Sequence, residues 1–107
     1  MLTVFNVMDL KRKGDIDALI SALQYQDDTA VRAEAALSLG QLGDLQAVDP
    51  LISILEDDSD PYVRSVAARA LGNLGDKRAW RALFEALDKD YYPVSIAAGK
   101  ALSKLKG

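Results

Sequence analysis

Apolar side chains recur along the chain at helical spacing, and the pattern itself recurs every 32 residues. Val31 and Val63 open two closely similar segments, VRAEAALSLGQLGD and VRSVAARALGNLGD. From Val94 onward the offset shortens to 31 residues, because the third copy has lost one residue in its turn. Since residues at i, i+3, i+4 and i+7 share one face of a helix, each copy predicts a pair of amphipathic helices.

The pattern predicts six long helices and a shorter one that precedes them. Gly43 and Gly75 stand where a left-handed residue ends a helix, and Pro61 stands in a first turn, where its missing N–H costs little. Val7 falls on Leu39 after a shift of 32 residues, so the shorter helix is expected to be half a hairpin. The predicted helices span residues 3–10, 15–25, 29–42, 46–56, 61–74, 77–88 and 92–105.

These helices predict a single all-α domain of three helical hairpins with a short N-terminal capping helix. A chain of 107 residues is long enough for one domain of ordinary size. Open-ended stacks of repeats need caps at their ends. The expected division is a cap at 1–14, repeats at 15–44 and 45–76, and a third repeat with the C-terminal cap at 77–107.

The run of Val-Arg, Ala-Ala, Leu-Gly and Leu-Gly-Asp, followed by Ala-Val-x-Pro-Leu-Ile, resembles the HEAT-like repeats of the phycobilisome lyase type. The match is strongest in Val31–Leu55 and Val63–Leu87, whereas Ser95 replaces the Arg and Lys106-Gly107 replace Gly-Asp. The resemblance implies a right-handed α-α superhelix, a short solenoid whose second helices line a concave surface. It also implies that the Arg and the Asp of each motif hold successive hairpins in register. The matching residues are Arg32, Asp44, Arg64 and Asp76.

The composition excludes several kinds of chemistry. The chain has no Cys and no His, which rules out thiolate nucleophiles, disulfides, imidazole catalysis and Cys or His metal sites. Helix capping explains the Asp residues near the loops, Asp58 and Asp90 among them, and no turn matches a twelve-residue calcium loop. We therefore expect no catalytic residue, no metal and no cofactor. No apolar run approaches the roughly 20 residues that span a bilayer, so a cytoplasmic location away from membranes is expected.

The candidate binding surface is the face of the second helices that points away from the core. Apolar and aromatic side chains with Arg and Lys at their rim have the composition of a protein-binding hot spot. The alternative is that these are scattered surface residues without a binding role. The candidate contact residues are Leu37, Tyr62, Val66, Arg69, Asn73, Ile96, Lys100 and Lys104.

Three further aromatic residues lie in the third repeat, and each has an expected place in the core or on the surface. Trp80 takes the repeat position of Ile16 and Val48, so it is expected to fill the core with its indole N–H near the surface and not to serve as a binding platform. Tyr91 and Tyr92 open the last helix, where they either join the binding surface or shield the open end of the core.

The sequence favours a non-catalytic module that binds a protein or peptide, with two alternatives. An accessory subunit of a lyase-type enzyme is implied by the resemblance alone. A weak nucleic-acid binder would use Arg69, Lys100 and Lys104, but three charges are too few for strong affinity, so nucleic acid is not the expected partner. The open ends of the stack make the chain a monomer or a weakly self-associating unit.

Overall fold

The computed structural model describes residues 1–105, which form seven α-helices and two 3₁₀ turns and contain no strand. The predicted helices are all present, although the second one is shorter than expected. Lys106 and Gly107, where the sequence departs from the repeat, lie outside the described residues. The α-helices are α1 (Val4–Lys13), α2 (Ile16–Ala22), α3 (Thr29–Leu42), α4 (Val48–Asp57), α5 (Pro61–Leu74), α6 (Trp80–Lys89) and α7 (Tyr92–Leu102), and the 3₁₀ turns Leu45–Ala47 and Lys77–Ala79 lead into α4 and α6.

The ends of the helices follow from a few residues. The Asp60 carboxylate accepts a hydrogen bond from the N–H of Tyr62 at 2.7 Å, and Pro61 occupies the first turn of α5. The same helix ends at Gly75 with φ of 69°, and α3 ends at Gly43 with φ of 77°. Because side chains other than glycine are strained at positive φ, these two glycines fix where the second helices stop. The predicted left-handed ends are confirmed.

The helices pair into three hairpins, α2 with α3, α4 with α5 and α6 with α7, and α1 packs on α2 and α3 as a half hairpin. The second helices α3, α5 and α7 lie side by side, so one layer of helices backs another. The chain is an all-helical, short α solenoid. No helix in residues 1–105 has the length and apolar character needed to cross a membrane. The fully buried core side chains include Val7, Leu19, Leu23, Val31, Leu39, Val48, Leu51, Val63, Leu71, Leu83 and Val94.

Two glycines set how closely the second helices approach one another. A Cβ built at Gly40 of α3 would lie 2.7 Å from the Cα of Ala70 in α5. A Cβ built at Gly72 of α5 would lie 2.8 Å from the Cα of Ala101 in α7. Since real Cβ atoms do not come that close to a backbone, only glycine permits these two helix contacts. The contacts recur at the repeat spacing and keep the three second helices in one layer.

Trp80 is not a core residue, and the prediction for it was wrong. Its side chain is 54% exposed, whereas Val48, its counterpart one repeat earlier, is fully buried. The difference arises because α6 and the turn before it cover α4, while within residues 1–105 no further hairpin covers α6.

Candidate protein-binding surface

Arg32 and Arg64 each join two successive hairpins. Arg32 Nε donates a hydrogen bond to Oδ2 of Asp58 at 2.8 Å, and its Nη1 donates to the carbonyl oxygen of Tyr25 at 3.0 Å. Arg64 Nε donates to Oδ2 of Asp90 at 3.0 Å, and its Nη1 donates to the carbonyl oxygen of Asp58 at 2.6 Å. Each guanidinium thus holds the loop of its own hairpin and the carboxylate of the next one. We call the Arg32–Asp58 and Arg64–Asp90 pairs the clasps.

The clasps are two-pronged ion pairs with different burial. In both, Nη2 of the arginine also donates to Oδ1 of the same carboxylate, a geometry that strengthens and orients the pair. The side chains of Arg32 and Asp58 are 3% and 4% exposed, and those of Arg64 and Asp90 are 13% and 16% exposed. Burial works to raise the pKa of Asp90, but hydrogen bonds from Arg64 and from the backbone N–H of Tyr91 outweigh it and lower the pKa. This carboxylate is therefore charged at neutral pH.

Asp44 and Asp76, which the resemblance implied hold the hairpins in register, make no direct hydrogen bond to another hairpin within residues 1–105. Each accepts a hydrogen bond from the backbone N–H two residues later, at 2.9 and 2.8 Å, and so caps the 3₁₀ turn that follows it. Asp76 contacts the preceding hairpin only through Arg78, which it binds and whose Nη2 donates to the carbonyl oxygen of Leu45 at 3.4 Å. Asp58 and Asp90, which the sequence indicated only as helix caps, accept the clasp hydrogen bonds instead. Each follows its arginine by 26 residues, and this constant spacing was the signal that sequence reasoning missed.

The clasp series stops at both ends of the stack. Gln26 occupies the repeat position of Asp58, and its side chain donates to the carbonyl oxygen of Gln24 at 3.1 Å. Ser95 occupies the position of Arg64, and its hydroxyl donates to the carbonyl oxygen of Leu87 at 2.7 Å. The first hairpin therefore carries only a clasp donor and the third only an acceptor, while the middle hairpin carries both.

Five of the predicted contact residues lie together and are exposed, four of them on α5 and α7 and Lys104 in the turn that follows α7. Nζ of Lys104 donates to Oδ1 of Asn73 at 3.3 Å, which joins the turn after α7 to α5. Because residues four and seven apart share a helix face, Tyr62 and Arg69 lie on the face of Asn73, and Lys100 lies on the face of Lys104. We call this set of Tyr62, Arg69, Asn73, Lys100 and Lys104 the basic row.

The basic row is positive because the segments that carry it contain no acidic side chain. Residues 61–75 and 91–105 contain no Asp and no Glu. Among residues 1–105, Arg69, Lys100 and Lys104 take part in no ion pair. The remaining cation of α5, Arg64, is held by its clasp. Arg69 on α5, Lys100 on α7 and Lys104 in the turn after α7 thus face solvent, and none of them is held in an ion pair within residues 1–105.

Three apolar candidates do not belong to the basic row. Val66 is 3% exposed, so its prediction as a contact residue was wrong. Leu37 is partly buried and packs against the core. Ile96 is exposed but takes the position of Ala33, which lies two turns from Gly40 on the side of α3 that contacts α5. The hydrophobic pattern assigned each second helix a single buried side, the one that faces its own hairpin partner. In the structure α5 is also covered by the second helices on either side of it, α3 and α7.

An apolar surface that the sequence did not predict lies on the third hairpin. The rings of Trp80 and Phe84 stack in parallel with centroids 5.1 Å apart. A Cβ built at Gly99 would lie 3.3 Å from Cδ1 of Leu87, and Ile96 lies one turn before Gly99 on the same side of α7. We call Trp80, Phe84, Leu87 and Ile96 the end face. Its signal in the sequence was the exchange of aliphatic residues in the earlier copies for Trp and Phe in the third.

The loop edge of the stack carries two grooves at equivalent repeat positions. A cavity of about 600 Å³ lies between α4 and α6 and is lined by Glu56, Glu85, Lys89 and Tyr91, among others. A smaller one of about 220 Å³ lies between α2 and α4. The ring of Tyr91 lies 5.7 Å from the guanidinium carbon of Arg64, so this tyrosine covers a clasp. Among residues 1–105, no group of three or more acidic side chains is arranged to hold a metal ion.

A comparison with curated proteins gives no match. The model of the family described as HEAT repeats matches residues 16–105, which cover all three hairpins. The clasps, the close helix approaches and the 32-residue offset all lie within the matched segment. Because the match spans well over half of the chain, this protein belongs to the HEAT repeat family.

Proposed function

We propose that the chain is a non-catalytic interaction module that binds an acidic segment of a partner protein along the basic row. HEAT repeats generally serve as protein-interaction scaffolds, and stacked repeats present extended surfaces to their partners. The observation that carries the proposal is that Arg69, Lys100 and Lys104 form no ion pair within residues 1–105. They lie on residues 61–75 and 91–105, which contain no Asp or Glu.

The composition of the basic row suits a charged peptide rather than an apolar helix. Tyr62 is 65% exposed and offers an aromatic ring with a hydrogen-bonding tip, a type of side chain enriched at interfaces. Arg69 can bind a carboxylate with two parallel hydrogen bonds. The lysines of the same row add charge that steers an acidic segment and fixes its orientation.

The row also limits the affinity that can be expected. Three exposed cations contribute modestly in water, and salt screens them over a Debye length of about 8 Å at physiological ionic strength. The predicted complex is therefore weak and salt-sensitive. Its specificity comes from the spacing of the cations along two adjacent helices.

The test is a titration with a fluorescently labelled peptide rich in Glu and Asp. Arg69→Glu combined with Lys100→Glu is expected to weaken binding by about tenfold or more, because it replaces two attractions by repulsions. The matched control is Lys77→Glu combined with Lys89→Glu, which makes the same change of charge at exposed positions of the third hairpin outside the row. Circular dichroism checks that both variants remain helical.

Two outcomes would contradict the proposal. If the two double variants lose affinity equally, net charge rather than the basic row governs binding. If duplex DNA binds more tightly than the acidic peptide at the same salt concentration, the partner is a nucleic acid. An acidic partner protein should be recovered by affinity capture with the wild type and lost with the Arg69 and Lys100 double variant.

The assignment to the phycobilisome lyase type of repeat also belongs to this proposal, as does the alternative role as an accessory subunit of such an enzyme. Its support is the sequence resemblance of Val31–Leu55 and Val63–Leu87. Capture of a bilin-carrying protein by the wild-type chain would support this alternative, and capture of acidic proteins without a bilin would count against it.

A further inference from the structure

We infer that the end face binds a second copy of this chain through an antiparallel pairing of the two α6 helices. The four side chains of the end face are between 39% and 54% exposed. The counterparts of Trp80 and Leu87 in the second hairpin, Val48 and Leu55, are 0% and 2% exposed, and α6 packs on the helix that carries them. The end face therefore corresponds to the side of a hairpin that the next hairpin covers, as happens between the first and second hairpins and between the second and third.

The third hairpin lacks the two features that the internal interfaces use. Ser95 stands where a clasp arginine would be, and its hydroxyl is bonded to the carbonyl oxygen of Leu87. Ser103 stands at the repeat position of Gly40 and Gly72, so it adds a Cβ where the second helices make their closest approach. A hairpin in the usual register would meet neither a clasp nor a glycine, which favours a different mode of packing.

Head-to-tail stacking of two copies is disfavoured by charge. The N-terminal helix exposes Phe5 and Met8, which are 82% and 51% exposed, but it ends in Lys11, Arg12 and Lys13. Asp9 pairs with Arg12 and Lys13 and offsets one of these three charges, so the turn stays positive. Placed against the third hairpin, this basic turn would lie near α7, whose only charged side chain is a lysine. Like charges at an interface lower affinity, so the N-terminal end is a poor occupant of the end face.

The sequence of α6 is complementary to itself in the antiparallel direction. At about 100° per residue, Trp80, Phe84 and Leu87 form a stripe along one side of the helix. Arg81 and Asp88 lie two turns apart on a single flank of that stripe, and both are exposed. When a second α6 crosses the stripe about a two-fold axis near Phe84, Arg81 of each copy lies beside Asp88 of the other.

Such a pairing is isologous and closed. The same patch is used on both copies, so the assembly stops at a dimer and does not grow into a fibre. Four partly exposed side chains offer only a few hundred Å² of apolar surface, below the roughly 800 Å² per partner of a standard interface. The expected dimer is therefore weak and reversible, with the two charge pairs setting its orientation.

The test combines sedimentation velocity with tryptophan fluorescence over low micromolar to millimolar protein. Trp80 is the only tryptophan of the chain, so its emission reports directly on the end face. The wild type is expected to dimerise as concentration rises, with emission moving to shorter wavelength. Arg81→Glu and Asp88→Arg should each weaken dimerisation by about tenfold, because each turns two attractions into repulsions. An equimolar mixture of the two variants should form a heterodimer.

The control variants separate this pairing from its rivals. Lys89→Glu makes the same change of charge as Arg81→Glu, but on the side of α6 away from the stripe, and should leave dimerisation unchanged. Phe5→Ser should also leave it unchanged. A chain that stays monomeric with constant emission at all concentrations overturns the inference. So does an association that survives Arg81→Glu but is lost with Phe5→Ser, which would indicate head-to-tail stacking.

Discussion

At the scale of single residues, the clasps show how a repeat protein fixes the register of its units. Arg32 and Asp58 are almost completely buried, and removing two charges from water is costly unless they satisfy each other. The guanidinium of Arg32 donates to both carboxylate oxygens and to the loop carbonyls of its own hairpin. A hairpin shifted by one turn would leave both charges buried and unpaired, so the pair selects one register.

Replacement of Arg32 by Met is expected to lower the free energy of unfolding by about 3 kcal/mol, because it leaves the Asp58 carboxylate buried without a counter-ion. Arg64→Met should cost less, since solvent reaches both members of its clasp. Urea unfolding followed by circular dichroism measures both losses. The double variant Arg32→Met with Asp58→Asn should recover part of the loss. Equal losses at Arg32 and Arg64 would show that burial of the clasp is not what matters.

At the scale of the helix, the spacing between second helices depends on the absence of a side chain. The backbone of α5 lies against Gly40 of α3, and the backbone of α7 lies against Gly72 of α5. The third helix of the series contains Gly99 instead, whose nearest neighbour is the tip of Leu87. A methyl group added at Gly40 or Gly72 would therefore meet the backbone of the next helix, whereas one added at Gly99 would meet only a side chain.

Gly40→Ala is expected to destabilise the protein by about 1 to 3 kcal/mol, because α3 and α5 must move apart to admit the methyl group. Gly99→Ala is the matched control. There the flexible end of Leu87 can move aside, and the change of up to about 1 kcal/mol in helix propensity favours alanine. Thermal unfolding distinguishes the two variants. A Gly40→Ala protein as stable as the wild type would show that the helix layer is more loosely packed than the structure indicates.

The helices themselves could be predicted because their signals are local. Periodicity, Asp at helix starts and glycine at helix ends are visible in one segment at a time, and the repeat multiplies each signal by three. The exposure of Trp80 and the burial of Val66 could not be predicted in this way. Both depend on whether a neighbouring hairpin is present, and the periodicity of one helix does not contain that information.

The same limit applied to the candidate site. The exposed polar members of the basic row, such as Arg69 and Lys100, were placed correctly on the surface because charged side chains resist burial. The apolar candidates were ambiguous, since Ile96 and Val66 suit either a core or a patch. Asp58 and Asp90 were seen as caps because their second role requires a residue 26 positions away.

At the scale of the whole molecule, three hairpins make a short and compact stack. The Cα radius of gyration of 12.5 Å is close to the roughly 13 Å expected for a compact chain of this length. The extents of 36, 26 and 16 Å describe a slab two helix layers thick. In so short a stack the ends form a large part of the surface, which is why the end face matters beside the basic row.

The asymmetry of the clasps makes the middle hairpin a cassette for building longer proteins. Residues 45–76 carry both a clasp acceptor, Asp58, and a clasp donor, Arg64. A tandem duplication of this segment would therefore add a complete clasp and would lengthen the basic row by one repeat. Duplication of residues 13–44 would instead bring Gln26 into the interior, opposite an arginine without a carboxylate. Since repeat arrays gain stability from each well-matched neighbour, the first four-hairpin chain should withstand more urea than the second. The midpoints of their unfolding curves would show whether this unit alone can be multiplied.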